Sequence, residues 1–134
     1  MMLVAAGGSL GALARYATGL AAARWLGKGF PWGTLAVNVI GCFVMGMVLK
    51  LLVDLESHPA ESLSPALRGQ IAFWRHGIAI GFLGALTTFS SFGADTIRQL
   101  EAGHLAAGMA NIAANVLLSL GAVWCGLALM QALD

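Results

Sequence analysis

Long runs without a charged side chain decide what this chain can fold into. Residues 33–49, 77–94 and 105–133 carry none, and residues 2–23 carry only Arg15. A helix needs about 20 mostly apolar residues to cross a bilayer. Within hydrocarbon it must also satisfy its own backbone hydrogen bonds. Four membrane helices are therefore expected, at about residues 2–23, 33–51, 73–98 and 105–132, in a single domain spanning 1–134. Hydrophobic residues make up 59% of the chain and charged residues 10%, against roughly 45–50% and about 25% in soluble domains. The fold class is an all-α integral membrane protein.

The remaining residues narrow the partners. A net charge of +1 gives nucleic acid nothing to bind, so the bilayer is the expected environment and no nucleic acid is expected as a partner. His58, His76 and His104 lie in or near the loops, too far apart in sequence to suggest a metal site. Cys42 and Cys125 sit singly in apolar runs and read as small packing residues. The first apolar run has no basic segment and no cleavage site around it, so it is expected to stay as a helix. The loop between the second and third spans, with Asp54, Glu56, Pro59, Glu61 and Pro65, is the longest. Around residues 67–74 it reads as a short interfacial helix or as the start of the third span.

Orientation is normally set by an excess of Lys and Arg on one side of the membrane. Here Lys50, Arg68 and Arg75 fall on one face and Arg24, Lys28 and Arg98 on the other. That tie predicts a chain that inserts both ways up and pairs as an antiparallel homodimer. The plainer reading is that folding alone decides orientation. Four spans enclose little space, so an oligomer is also expected from the need to keep polar groups away from lipid.

Polar residues at membrane depth mark where function lies. The stretch 81–93 holds Gly81, Gly84 and Gly93 together with Thr87, Thr88, Ser90 and Ser91, where lipid would favour Leu and Val. It predicts a break in the third helix near 84–87, with freed carbonyls on one side and a fresh helix N-terminus on the other. A simple kink, stabilised by the Ser and Thr hydroxyls, is the plainer alternative. Gly7, Gly11, Arg15 and Gly19 share one face of the first span, a spacing that lets another helix come close. Arg15 reads either as a structural arginine on backbone carbonyls or as an anion-attracting charge at the mouth of a path. Thr34, Asn38 and Cys42 repeat every four residues in the second span, as do Asn111, Asn115 and Ser119 in the fourth. Phe89 and Phe92 share a face just after the break; aromatics so spaced usually pack a core, but their electropositive edges can also meet an anion. These ladders hold neutral donors and no deep carboxylate, which suits an anion path better than a cation or proton path.

Taken together, these residues resemble the CrcB/Fluc family of fluoride channels. The likeness covers essentially the whole chain. It rests on Gly-Ala-Leu-Ala-Arg-Tyr at 11–16, Gly-Thr-Leu-Ala-Val-Asn-Val-Ile-Gly at 33–41 and Gly-Phe-Leu-Gly-Ala-Leu-Thr-Thr-Phe-Ser-Ser-Phe at 81–92. The resemblance implies an antiparallel, dual-topology homodimer in a bacterial inner membrane, conducting fluoride passively through two pores built from both subunits. It implies an anion path through Asn38, Phe89 and Phe92, with Thr34, Ser91, Asn115 and Ser119 on a polar track. Arg15 would stand at an aqueous vestibule. The carbonyls of Gly84 and Thr87 would hold a structural Na+ on the dimer axis. Asn111 and Asn115 depart from the family's more usual residues but keep hydrogen-bonding capacity, so conduction is expected to survive, with its rate left open by these two changes.

Two rival readings differ in kind. A small dual-topology drug/proton antiporter needs a carboxylate deep in a span, and no span offers one. A non-transporting membrane subunit explains each ladder singly but not all of them with a broken third helix. An enzyme is not expected, because no nucleophile–base pair stands out.

Overall fold

The computed structural model describes residues 1–57 and 63–133; His58, Pro59 and Glu61 of the long loop lie outside them. The first helix, α1 (Met2–Trp25), is 24 residues of mainly Ala, Leu and Gly. It ends where Gly27 takes a left-handed φ of 81° that a side chain would resist. Helix α2 (Trp32–Glu56) runs five residues past the expected end at 51. Asp54 on that extension pairs with Lys50, one turn back, at 2.7 Å.

The third span is composite. It opens as α3 (Pro65–Ala72), where the Ser64 hydroxyl accepts the Leu67 N–H and proline occupies the first turn. The segment 67–74 is therefore continuous with the third helix. The chain continues as a π-helix, Phe73–Leu83, and then as a single turn, α4 (Gly84–Leu86). After an extended step comes α5 (Phe89–Glu101), and α6 (Leu105–Leu133) completes the fold. Gly103, with φ 78°, makes the turn between these two.

Among the described residues, Trp32–Glu56, Pro65–Glu101 and Leu105–Leu133 are long and apolar enough to cross a membrane. Helix α1 has the length for a fourth crossing. Its many alanines and glycines, with Arg15 and Arg24, hold its hydropathy below that of the other three.

Small residues set how closely the helices meet. A Cβ on Gly46 would strike the Val123 carbonyl, and one on Gly126 would strike the Phe43 carbonyl, so α2 and α6 touch backbone to backbone. Gly7 and Gly11 of α1 lie in the same way against the carbonyls of Gly77 and Phe82 in the π-helix. On the same stripe, a Cβ on Gly33 at the start of α2 would strike the Gly19 Cα, while one on Gly19 itself would meet nothing within 4 Å. The buried core is small, around Val37, Val48, Leu52, Leu83 and Leu86. Leu13, Leu20, Leu117, Leu120 and Trp124 remain on the outside, as expected of a chain whose solvent is hydrocarbon.

The break falls at the end of the expected 84–87 stretch, at Thr87 and Thr88. Gly84 is helical, with φ −63° and ψ −30°, whereas Thr87 (ψ 154°) and Thr88 (φ −154°, ψ 117°) are extended. The cause is the capping of α5. The Thr88 hydroxyl accepts the Ser91 N–H at 3.1 Å, and the Thr88 N–H goes to Asn38 Oδ1 at 2.8 Å. Neither group is then left to continue the preceding helix.

Candidate functional site

Helices α2, α5 and α6 meet beside the break and leave a groove of about 340 Å³. Asn38 and Cys42 line it from α2, Thr87, Thr88, Phe89 and Phe92 from the break and α5, and Asn115 and Ser119 from α6. No ionisable acid or base other than the Cys42 thiol lines it. Its walls are neutral amides, hydroxyls, a thiol, aromatic rings and aliphatic carbon.

Each polar wall group is placed by its own bonds. Asn38 lies at the centre: Oδ1 accepts the Thr88 N–H, and Nδ2 donates to Asn115 Oδ1 at 2.8 Å and to the Thr88 carbonyl at 3.3 Å. Both amide hydrogens of Asn115 go to Asn111, one to its carbonyl at 3.1 Å and one to its Oδ1 at 2.8 Å. Asn111 is fully buried and donates to Thr96 Oγ1 at 2.8 Å. Ser119 is different. Its hydroxyl oxygen is buried and, among the described residues, has no hydrogen-bond partner. A polar atom left unpaired away from water costs stability, which points to a partner that arrives from elsewhere.

The two rings are unequal. Phe92 is buried while Phe89 is 82% exposed on the same groove, with centroids 5.3 Å apart and planes tilted by 57°. The exposed ring presents edge and face to whatever fills the groove or covers it.

The remaining expected residues lie apart from the groove. Ser91 accepts a hydrogen bond from the Thr88 hydroxyl at 3.1 Å and supports the cap. Thr34 sits nearer the membrane edge, where its hydroxyl donates to Asp95 Oδ2 at 2.7 Å. Arg98 pairs with the other oxygen of Asp95 at 3.1 Å. Thr34, Asp95 and Arg98 share a second cavity of about 240 Å³ with Lys28. Arg15 is half-buried on α1 and has no hydrogen bond or ion pair among the described residues. Thr88 and Cys42 line the groove but were left out of the site by sequence reasoning, as was Thr96, which stands behind the groove and supports Asn111. The signal for Thr88 was its position three before Ser91, the spacing of a helix cap. Cys42 continues the ladder of Thr34 and Asn38.

The carbonyls beside the break give a test for a cation. Because Asn38 takes the Thr88 N–H, the Gly84 carbonyl loses the donor one helical turn ahead. Among the described residues, no backbone N–H outside the regular helices donates to Gly84 or Thr87. Carbonyl oxygens without a backbone donor, one at exposed Gly84 and one at half-buried Thr87, are a donor set that suits a hard cation such as sodium.

A family model for "CrcB-like protein, Camphor Resistance (CrcB)" matches residues 2–127. The chain belongs to the CrcB family. All of the groove residues fall within the CrcB match. Similar proteins include one named fluoride-specific ion channel FluC from Rhizobium etli, 45% identical over 132 residues, covering 98% of this chain and 96% of the relative. Another of that name, from Rhodospirillum centenum, is 44% identical over 131 residues, covering 98% and 94%. One from Solibacter usitatus is 40% identical over 126 residues, covering 93% of each chain. Within the CrcB fold seen here, the groove is the place where neutral donors and aromatic rings converge.

Proposed function

We propose that this chain forms a fluoride-selective passive channel, which lets fluoride leave the cytoplasm down its electrochemical gradient and so relieves its toxicity. The observation that carries the reading is the groove itself: neutral donors and ring edges, no carboxylate, and a buried hydroxyl on Ser119 awaiting a partner. Relatives at 40–45% identity over nearly the full chain bear the name fluoride-specific ion channel. Fluoride holds its water tightly, so a purely apolar pore would exclude it. Hydroxyls, amide hydrogens and the positive edges of Phe89 and Phe92 replace that water a little at a time. No single site binds strongly enough to trap the ion.

Two copies in antiparallel arrangement complete the path. Gly84, Phe89 and Ser90 are exposed beside the break, and bare carbonyls do not face lipid. The three-against-three balance of basic residues supports insertion both ways up. Arg15, without a partner among the described residues, would face the aqueous vestibule and draw anions towards it. The carbonyls of Gly84 and Thr87 would hold a structural Na+ between the copies. When bound, that ion supplies fixed positive charge at the break and a partner for the freed oxygens. The bacterial inner membrane is the expected site of action. Ser91 and Thr34 extend the polar track, one through the cap and the other towards the membrane edge.

Growth tests the physiological part of this reading. Bacteria lacking their own fluoride exporter and producing this protein should tolerate millimolar-range fluoride that arrests the parent strain. Equal sensitivity, with the protein present in the membrane, would contradict it.

A further inference from the structure

The chain has three asparagines, Asn38, Asn111 and Asn115, and all three belong to one hydrogen-bonded chain that crosses from α2 through α6 to α5. An asparagine side chain can face either way round, and only its partners decide which. Here the ends of the chain cannot reverse. At the groove, Asn38 Oδ1 meets the Thr88 N–H, a backbone donor. In the middle, Asn115 Nδ2 meets the Asn111 carbonyl, a backbone acceptor. At the far end, the Thr96 hydroxyl donates to the Phe92 carbonyl at 2.8 Å and so can only accept from Asn111. One orientation of each amide satisfies all of these bonds together.

We propose that Asn115, Asn111 and Thr96 form a positioning relay that fixes the Asn38 amide, so that Asn115 acts on the ion path through Asn38 and not as an anion donor. The proposal rests on reading the groove as an anion path. With both hydrogens of Asn115 committed to Asn111, only its oxygen is turned to Asn38, and an oxygen acceptor repels an anion. Asn38 is then held with its nitrogen toward α6. Of its two amide hydrogens, the one on Asn115 is tightly held at 2.8 Å, while the one on the Thr88 carbonyl is long at 3.3 Å. The longer bond is the one a passing anion can claim without breaking the relay. Asn111, Asn115 and Thr96 are buried at 0%, 5% and 6% exposure, where a lost partner is not replaced by water. The relay also ties Phe92 of α5 and Asn38 of α2, both on the groove, through a helix that neither belongs to.

Thr96 lies outside the groove, which makes it the place to test the relay. Thr96→Val keeps the shape and removes the hydroxyl; Thr96→Ser keeps the hydroxyl. Asn111→Leu, of similar size, removes the side-chain link from the other side. Full-length variants in liposomes are compared for fluoride flux against fluoride concentration, with assembly followed by size-exclusion chromatography. Protein labelled with 15N-asparagine gives three side-chain amide signals to follow in parallel. Thr96→Val and Asn111→Leu should lower maximal flux by about tenfold and shift the Asn38 amide signal, while Thr96→Ser stays within about twofold of the parent. A parent that conducts fluoride, with Val and Leu variants that match it in flux and leave the Asn38 signal in place, would overturn the relay and leave the channel standing. Should Thr96→Val fail to assemble, Asn111→Leu and the amide signals decide the matter. A parent that does not conduct fluoride at all would instead remove the path on which the proposal rests.

Discussion

Ser119 states the relation between stability and function at the scale of a single residue. Its hydroxyl is buried on the groove wall with no partner among the described residues. A buried, unpaired hydroxyl destabilises a fold by about 1–3 kcal/mol, much of which is recovered when the group is removed without leaving a large gap. Ser119→Ala should therefore melt at the same temperature as the parent or a few degrees higher, while fluoride flux falls. Thermal unfolding in detergent and flux from liposomes read the two effects separately. A clear loss of thermal stability would mean that the hydroxyl is already satisfied within the protein. Asn38, Phe89, Phe92, Asn115 and Ser119 are legible in the sequence because neutral polar and aromatic groups are costly or unusual at that depth and recur at helical spacing. Which of their donors are already spent is not legible. That depends on how α2 and α6 are aligned, and only the folded pair brings Asn115 against Asn38.

At the scale of the elements, glycine contacts set the alignment. Gly7 and Gly11 let α1 come against the π-helical backbone, and Gly46 with Gly126 brings α2 against α6. The first stripe is visible in the sequence as a four-residue repeat. The second pair has no visible register, because the two glycines are eighty residues apart and sit in otherwise ordinary apolar runs. The π-helix of Phe73–Leu83 is equally hidden. Its wider winding lies where the Gly7 and Gly11 contacts fall, a tertiary circumstance that local sequence does not encode. A Cβ at Gly11 would overlap the Phe82 carbonyl, whereas one at Gly19 would meet nothing within 4 Å. Gly11→Ala should thus cost about 1–3 kcal/mol or prevent assembly, and Gly19→Ala should be neutral. Thermal unfolding of the two variants side by side checks the contrast, and equal behaviour would mean that α1 does not pack as described.

At the scale of the whole molecule, the four helical spans and their order follow from the spacing of uncharged runs, although α1 is less apolar than its neighbours. The antiparallel pair is a proposal that topology can test. With Cys42 and Cys125 replaced, a single cysteine introduced at Gly29, an exposed position in the loop after α1, should react with a membrane-impermeant thiol reagent in about half of the molecules in intact cells, since no excess of basic residues selects one face. Complete labelling, or none, would show a single orientation. The central claim, that a groove of neutral donors selects fluoride, is tested most directly by ion efflux from liposomes. Vesicles containing the purified protein and loaded with both fluoride and chloride are diluted into medium lacking both, and the two ions are followed with separate electrodes. Fluoride should leave rapidly while chloride stays inside; release of both at similar rates, or of neither, would contradict the claim.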